Sequence, residues 1–258
     1  ALVPAVTYGP DEPDARHLRT RTKTGEYTED QVRKAIMTPT IFARVLEWFE
    51  RLNPDGRPTI LFAPGVAESM WFAEQFNASG ISAAHIDGED ISYGTLDSDG
   101  NSVTQKSTRE RRAEILEGSQ TGKITVLCNR FVLREGIDAP WLSHGILATV
   151  FGGLSSYIQA GGRLLRAHPC LDKVTIQDHG GNFWRHGSLN ADRQWNLTWG
   201  NADYSRVRET AFREKKEPEP IRCPRCAAIR TSGEICPKCG YKTSRRSRMV
   251  VQTDGTLR

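Results

Sequence analysis

The feature that most constrains this chain is a repeated change of hydrophobic period. Short, almost wholly apolar segments at residues 58–63, 83–87, 124–128, 145–150 and 173–178 alternate with longer segments whose apolar residues recur every three to four positions. A strand that is apolar at every position is buried on both faces. Strands of that kind separated by helices imply an α/β fold, a parallel sheet with helices on both faces. The helical segments are predicted at 28–37, 40–53, 66–77, 107–117 and 155–167. Thr28-Glu29-Asp30-Gln31 and Ser107-Thr108-Arg109-Glu110 are capping boxes for two of them. Residues 88–106 are polar and turn-rich, with a hairpin tip at Asp99-Gly100. In such a sheet functional groups gather at the carboxyl ends of the strands. That edge is expected to hold Pro64-Gly65, Asp87-Gly88, Asn129-Arg130 and Asp178-His179.

Residues 155–167 carry Gln159, Gly162, Arg163 and Arg166 in the pattern Q-x-x-G-R-x-x-R. Two arginines three apart share a helical face and address one anion together. A planar, permanently charged guanidinium suits the charge that develops on a transferring phosphoryl group. Arg134-Glu135-Gly136-Ile137-Asp138 precedes this motif by about 25 residues. A carboxylate just after a glycine turn holds a ribose hydroxyl or orients an arginine. Lys123 imitates a phosphate-loop lysine, but only three residues separate Gly118 from Gly122, and Ile124 follows the lysine. The nucleotide loop needs four residues and then Ser or Thr, so this stretch reads as a helix end and turn.

The combination resembles the second RecA-like lobe of superfamily 2 helicases and translocases. Residues 59–63 and their turn resemble motif IV, Asn129 through Asp138 motif V in an E-G-x-D form, and Gln159, Gly162, Arg163 and Arg166 motif VI. Asp178-His179-Gly180-Gly181-Asn182 is similar to the run after motif VI in phage and bacterial DEAD/DEAH-box-type members. The resemblance covers roughly residues 40–185 and implies a RecA-like sheet. It implies that ATP lies between this lobe and an upstream lobe that supplies the phosphate loop and the Mg²⁺ carboxylates. Arg166 is then the first choice for the arginine finger, with Arg163 beside it, and the pair is expected to face the sheet's carboxyl edge. Gln159 positions the phosphate or the attacking water. Gly136, Asp138 and Gly162 belong to the nucleotide site, while Pro64, Gly65, Ser69, Asn129 and Arg130 lie along the strand phosphates. Motif V usually has Thr where Asn129 or Arg130 stands here. Asp11-Glu12-Pro13-Asp14 imitates the acidic box of the absent lobe, but no phosphate loop precedes it, and it reads as a linker turn.

The tail adds a second chemistry. Cys223-Pro224-Arg225-Cys226 and Cys236-Pro237-Lys238-Cys239 are two C-P-x-C knuckles nine residues apart. Four thiolates so spaced suit a closed, structural tetrahedral Zn²⁺ site in a zinc ribbon. Residues 213–258 hold 12 Lys and Arg against 5 Asp and Glu, a net +7 on a body that is otherwise slightly acidic. A basic tail implies an anionic partner, nucleic acid. Residues 183–212 carry Trp184, Trp195, Trp199, Tyr204 and Phe212, read as a helical extension whose rings are packing anchors.

The expected domains are a linker with a leading helix at 1–39, the motor lobe with its helical extension at 40–212, a linker at 213–221, and a zinc ribbon with a basic tail at 222–258. The chain begins at Ala1 without Met, as expected of part of a longer protein. No run reaches the roughly 18 apolar residues of a membrane span, and a cytoplasmic location in a bacterial or phage-infected cell is expected. The expected function is the C-terminal motor lobe of an ATP-dependent helicase or translocase, inactive without its partner lobe, with DNA favoured over RNA. Two alternatives stand beside it: a non-catalytic nucleic-acid-binding module, and a translocase subunit of a restriction-type nuclease.

Overall fold

The computed structural model describes residues 2–11, 13, 18–19, 25–86, 109–130, 139–166, 168, 171–193 and 220–243, and the backbone of two strands at 92–96 and 102–106. Ten strands and six helices follow in chain order among the described residues: β1 (Ala5–Tyr8), α1 (Glu29–Ile36), α2 (Ile41–Leu52), β2 (Thr59–Phe62), α3 (Val66–Ala78), β3 (Ala83–His85), β4 (Ser92–Leu96), β5 (Ser102–Lys106), α4 (Arg109–Gln120), β6 (Val126–Asn129), β7 (His144–Leu147), α5 (Leu154–Leu164), β8 (Val174–Asp178), α6 (Asn182–His186), β9 (Ile221–Arg222) and β10 (Ile229–Arg230). Six of these strands form one parallel sheet in the order β1-β8-β7-β2-β6-β3. β4 and β5 pair antiparallel as a separate hairpin, whose Asp99-Gly100 tip lies outside the described residues.

The strand pleat sorts side chains between two cores. Ile60 and Phe62 of β2 face one side, with Ile115 of α4 and Tyr157, Ala160 and Leu164 of α5. Leu61 and Ala63 face the other, with Val32 and Ile36 of α1, Val45 and Phe49 of α2, and Phe72 and Phe76 of α3. Both faces are covered, as the apolar strands require. The capping box of α1 forms as expected: the Thr28 hydroxyl accepts from the Gln31 N–H, and the Gln31 side chain accepts from the Thr28 N–H at 3.2 Å. The turn at Lys123 also forms, with Gly122 at φ +81 after α4. Among the described residues no helix is long and apolar enough to cross a membrane.

Residues 1–39 were expected to be a linker with a leading helix, yet four of them make β1. It pairs parallel with β8, from Ala5 opposite Val174 to Tyr8 opposite Gln177. Its four residues sit between Pro4 and Pro10, so no periodic pattern long enough to read could show. Asp11, dismissed as part of a linker turn, accepts from His179 and pairs with Arg44. The outer edge of β1 is covered by the cysteine-bearing module. Tyr8 bridges Ala228, the Gly9 N–H donates to Ala227 O at 3.1 Å, and Arg51 of α2 donates to Arg225 O at 2.7 Å. Four residues of the expected helical extension, 183–186, lie in α6, and residues 194–212 lie outside the described ones.

Candidate functional site

Gln159, Gly162, Arg163 and Arg166 stand at i, i+3, i+4 and i+7, so they form one stripe along α5 and its last turn. The opposite stripe, Tyr157, Ala160, Gly161 and Leu164, is buried against the sheet, while Gln159 is exposed and the two arginines are half-buried. The paired glycines divide the work. A Cβ at Gly161 would stand 2.6 Å from Leu189 Cδ1, so this glycine lets residues 188–190 pack down. A Cβ at Gly162 meets nothing within 4 Å, so the stripe is bare beside Arg163.

α5 starts at the carboxyl end of β7 and runs back along the sheet for about 16 Å. Its end lies by the first residues of β1 and β8: Leu165 O accepts from the Val3 N–H at 2.9 Å, and Arg166 bridges Leu2. The arginines therefore occupy the amino edge of the sheet. The expectation that they face the carboxyl edge is corrected by the helix direction, because a helix returning from β7 to β8 must end where β8 begins.

The carboxyl edge holds the other set. Gly65 is the N-cap of α3, with extended backbone and no side-chain cap. Ser69 is buried, its hydroxyl 2.7 Å from His85 Nδ1. Asn129 is also buried and donates to Leu61 O at 2.9 Å, which ties β6 to β2 at their ends. Arg130 is partly exposed and ion-paired with Glu29 of α1. Arg33 of α1 pairs with the buried Glu68 in the first turn of α3, with a second contact at 3.3 Å. Pro64, Gly65, Ser69, Asn129 and Arg130 thus share one edge, while Gln159, Gly162, Arg163 and Arg166 lead to the other. Gly136 and Asp138 lie outside the described residues.

The four tail cysteines converge. Their Sγ atoms all lie within 4.8 Å of one another, with Cys223–Cys239 and Cys226–Cys236 each at 3.6 Å. A tetrahedral zinc with bonds of about 2.3 Å requires sulfurs about 3.8 Å apart, so the cluster has the right size. The knuckles are matched: the Ala227 N–H bonds Cys223 O and the Gly240 N–H bonds Cys236 O, both at 2.9 Å, with φ +54 and +69 at the turning residues. Burial raises the Cys236 thiol, but N–H groups of Lys238 and Cys239 and the neighbouring sulfurs outweigh it and bring it down to about 6. Burial pushes Cys226 up to about 12. Four cysteine sulfurs converging at this spacing make the donor set of a structural metal site.

Residues 41–168 match the family described as the helicase conserved C-terminal domain. Residues 41–168 carry a helicase C-terminal domain. This helicase lobe is 26% identical over 225 residues to a 51.5 kDa protein of a Lactococcus phage (isolate 7-9), covering 87% of this chain and 44% of the phage protein. It resembles a fragment structure of a putative HsdR subunit of a type I restriction enzyme from Vibrio vulnificus YJ016, with TM-score 0.50 and 15% identity over 73% of this chain and 34% of that one. The E. coli DEAD-box protein SrmB, solved bound to the regulator of ribonuclease activity A, gives TM-score 0.43 and 18% identity over 57% of this chain and 75% of that one. The lobe therefore spans less than half the length of its phage relative.

Sequence reasoning missed two residues of this helicase lobe, Glu26 and Glu29. The Glu26 carboxylate accepts from the Gly152 N–H at 3.0 Å and from the Ser156 hydroxyl at 2.5 Å, at the start of α5. Glu29 holds Arg130 in the same way. Both lie in a segment whose only sequence signal was the capping box that opens α1.

Proposed function

We propose that this lobe is half of an ATP-driven motor that moves along a nucleic-acid strand. The observation that carries the proposal is the α5 stripe: an exposed glutamine, a glycine with open space at its Cβ position and two half-buried arginines on one helix face. In the intact protein that upstream lobe binds ATP and Mg²⁺. Arg166, with Arg163, enters the cleft and stabilises charge on the γ-phosphate. Gln159 orients the phosphate or the attacking water, and Gly136, Gly162 and Asp138 complete the nucleotide site.

The carboxyl edge carries the strand, DNA in preference to RNA. Gly65 and Arg130 meet phosphates, with Pro64 shaping the turn and Ser69 and Asn129 fixing the edge from within. Separate edges for nucleotide and strand suit a motor, because a rotation driven at one edge displaces the other. Cys223, Cys226, Cys236 and Cys239 bind one structural Zn²⁺, and the basic module around them adds affinity for nucleic acid. The complete Gln159/Arg163/Arg166 set supports a working motor over a non-catalytic module. The test is strand-stimulated ATP hydrolysis by the intact protein: the motor reading requires stimulation that Arg166→Ala removes, and hydrolysis indifferent to both strand and Arg166 would refute it.

A further inference from the structure

Glu26 and Glu29 each place a carboxylate on a cationic or donor-rich group at the carboxyl edge. Glu26 takes the Gly152 N–H and the Ser156 hydroxyl where α5 begins, after β7. Glu29 takes the Arg130 guanidinium, after β6, and its carboxylate would stand 3.2 Å from a Cβ at Gly65, after β2. β7, β2 and β6 are neighbours in the sheet. Residues 25–30 therefore cross three adjacent strand ends and present an anion at both sides of the crossing.

The segment is pinned in that path. A Cβ on Gly152 would stand 2.7 Å from Gly25 O, so only a glycine lets the segment lie this close. Arg185 stacks over the Tyr27 ring at 5.4 Å, the Thr28 capping box fixes the turn into α1, and Val32 and Ile36 bury α1 in the core. Arg33 reaches from α1 to Glu68 on α3 and closes the same corner. Helix capping alone explains neither the choice of Arg130 as a partner nor the course across three strand ends.

We infer that residues 25–30 are an internal mimic of a nucleic-acid backbone, in which Glu26 and Glu29 occupy two phosphate positions, at Gly152/Ser156 and at Arg130, and must be displaced when a strand binds. This rests on the proposed strand track at the carboxyl edge and adds Gly152 and Ser156 to it. The partner is a single strand, whose flexible backbone can set phosphodiesters at both positions. Because α1 is anchored by apolar burial, displacement involves the two side chains and the 25–28 turn, while α1 stays in place. The lobe then resists binding to stray anions and yields to a polyanion that fills both positions.

The test is binding of a fluorescent single-stranded oligothymidylate to the intact protein without nucleotide, across a salt series, for wild type, Glu26→Gln/Glu29→Gln and Arg130→Ala. Glutamine keeps the shape and the ability to accept from Gly152 but removes the charge. The inference predicts about tenfold tighter binding by the double variant, and a log affinity against log salt slope steeper by about 0.7, since of the two positions only Arg130 is a cation that neutralises a phosphate. Unchanged affinity and slope in a double variant that melts as wild type would overturn the mimic. Arg130→Ala separates the two readings: it weakens binding if the track lies at this edge, and if it has no effect the track itself is misplaced. A double variant that fails to fold is replaced by Glu29→Gln alone, for which a steepening of about 0.7 is expected and no steepening overturns the mimic.

Discussion

Asp178 and Asn182 are bonded side chain to side chain at 2.9 Å, and the pair joins β8 to the loop that follows β7. Asn182 also donates to Thr149 O and accepts from the Phe151 N–H, both at 2.8 Å, while Asp178 accepts from the N–H groups of Gly180 and Phe183. Burial raises the Asp178 carboxyl, against the pull of these donors. The Asp178-His179-Gly180-Gly181-Asn182 run is therefore the joint that sets where α5 starts. Gly180 is required because a Cβ there would run into the Thr149 carbonyl.

Removing Asn182 takes from the Phe151 N–H and from Thr149 O the bonds they make to its side chain in a buried place. Asn182→Ala is expected to destabilise the protein by about 3 kcal/mol, the cost of several buried polar groups losing their bonds. Urea denaturation checks this; a loss under about 0.5 kcal/mol, as at an ordinary surface site, would contradict it.

The two glycines of α5 should separate in the same experiment. Gly161→Ala pushes into Leu189 and is expected to cost about 1–3 kcal/mol. Gly162→Ala points into open space on a helix, where alanine is favoured by up to about 1 kcal/mol. If the upstream lobe packs on this stripe, Gly162→Ala nevertheless lowers ATP hydrolysis by the intact protein. A variant more stable yet less active is the signature; equal losses of stability at both positions would refute the assignment of faces.

The central sheet was legible because its strands are apolar on both faces, and the α5 motif because its four residues repeat at helical spacing. β1 was not, since its four residues lie between prolines and owe their place to pairing with β8 rather than to any pattern of their own. The edge on which Arg166 stands follows from helix direction, which spacing alone does not encode. Glu26 and Glu29 act across more than 100 residues of sequence, on Gly152, Ser156 and Arg130, and no local signal marks such contacts.

His144 gives the fold a pH dependence. It is buried at the start of β7 and stacked on Phe49 at 5.7 Å, and burial, reinforced by Arg57, lowers it from 6.5 to about 3. A depressed histidine binds a proton in the unfolded chain before it does in the folded one. Its contribution is whole above pH 6.5 and is lost as pH falls toward 3, by about 1.4 kcal/mol per pH unit. Denaturation between pH 6 and pH 4 is expected to show a slope close to this in wild type and a shallower one in His144→Gln. Identical slopes in both would contradict it.

Metal should be inseparable from the lobe's edge. Tyr8 of β1 packs against the cluster formed by Cys223, Cys226, Ala228 and Cys236. One zinc per chain is expected by elemental analysis, and Cys236→Ser should lose it. A chelator should lower the melting temperature of the whole lobe, through β1, as well as that of the tail. A metal-free protein with an unchanged melt would show that the knuckles stand without zinc.

The central claim is that the α5 guanidiniums complete a nucleotide site built with a second lobe. Strand-stimulated ATP hydrolysis by the intact protein, measured for wild type, Arg166→Ala and Arg166→Lys with kcat and KM resolved, tests it most directly. The account predicts that Arg166→Ala lowers kcat by about a thousandfold with little change in KM, and that lysine, which lacks the planar fork, restores little of it. Wild-type kcat in Arg166→Ala would contradict the account.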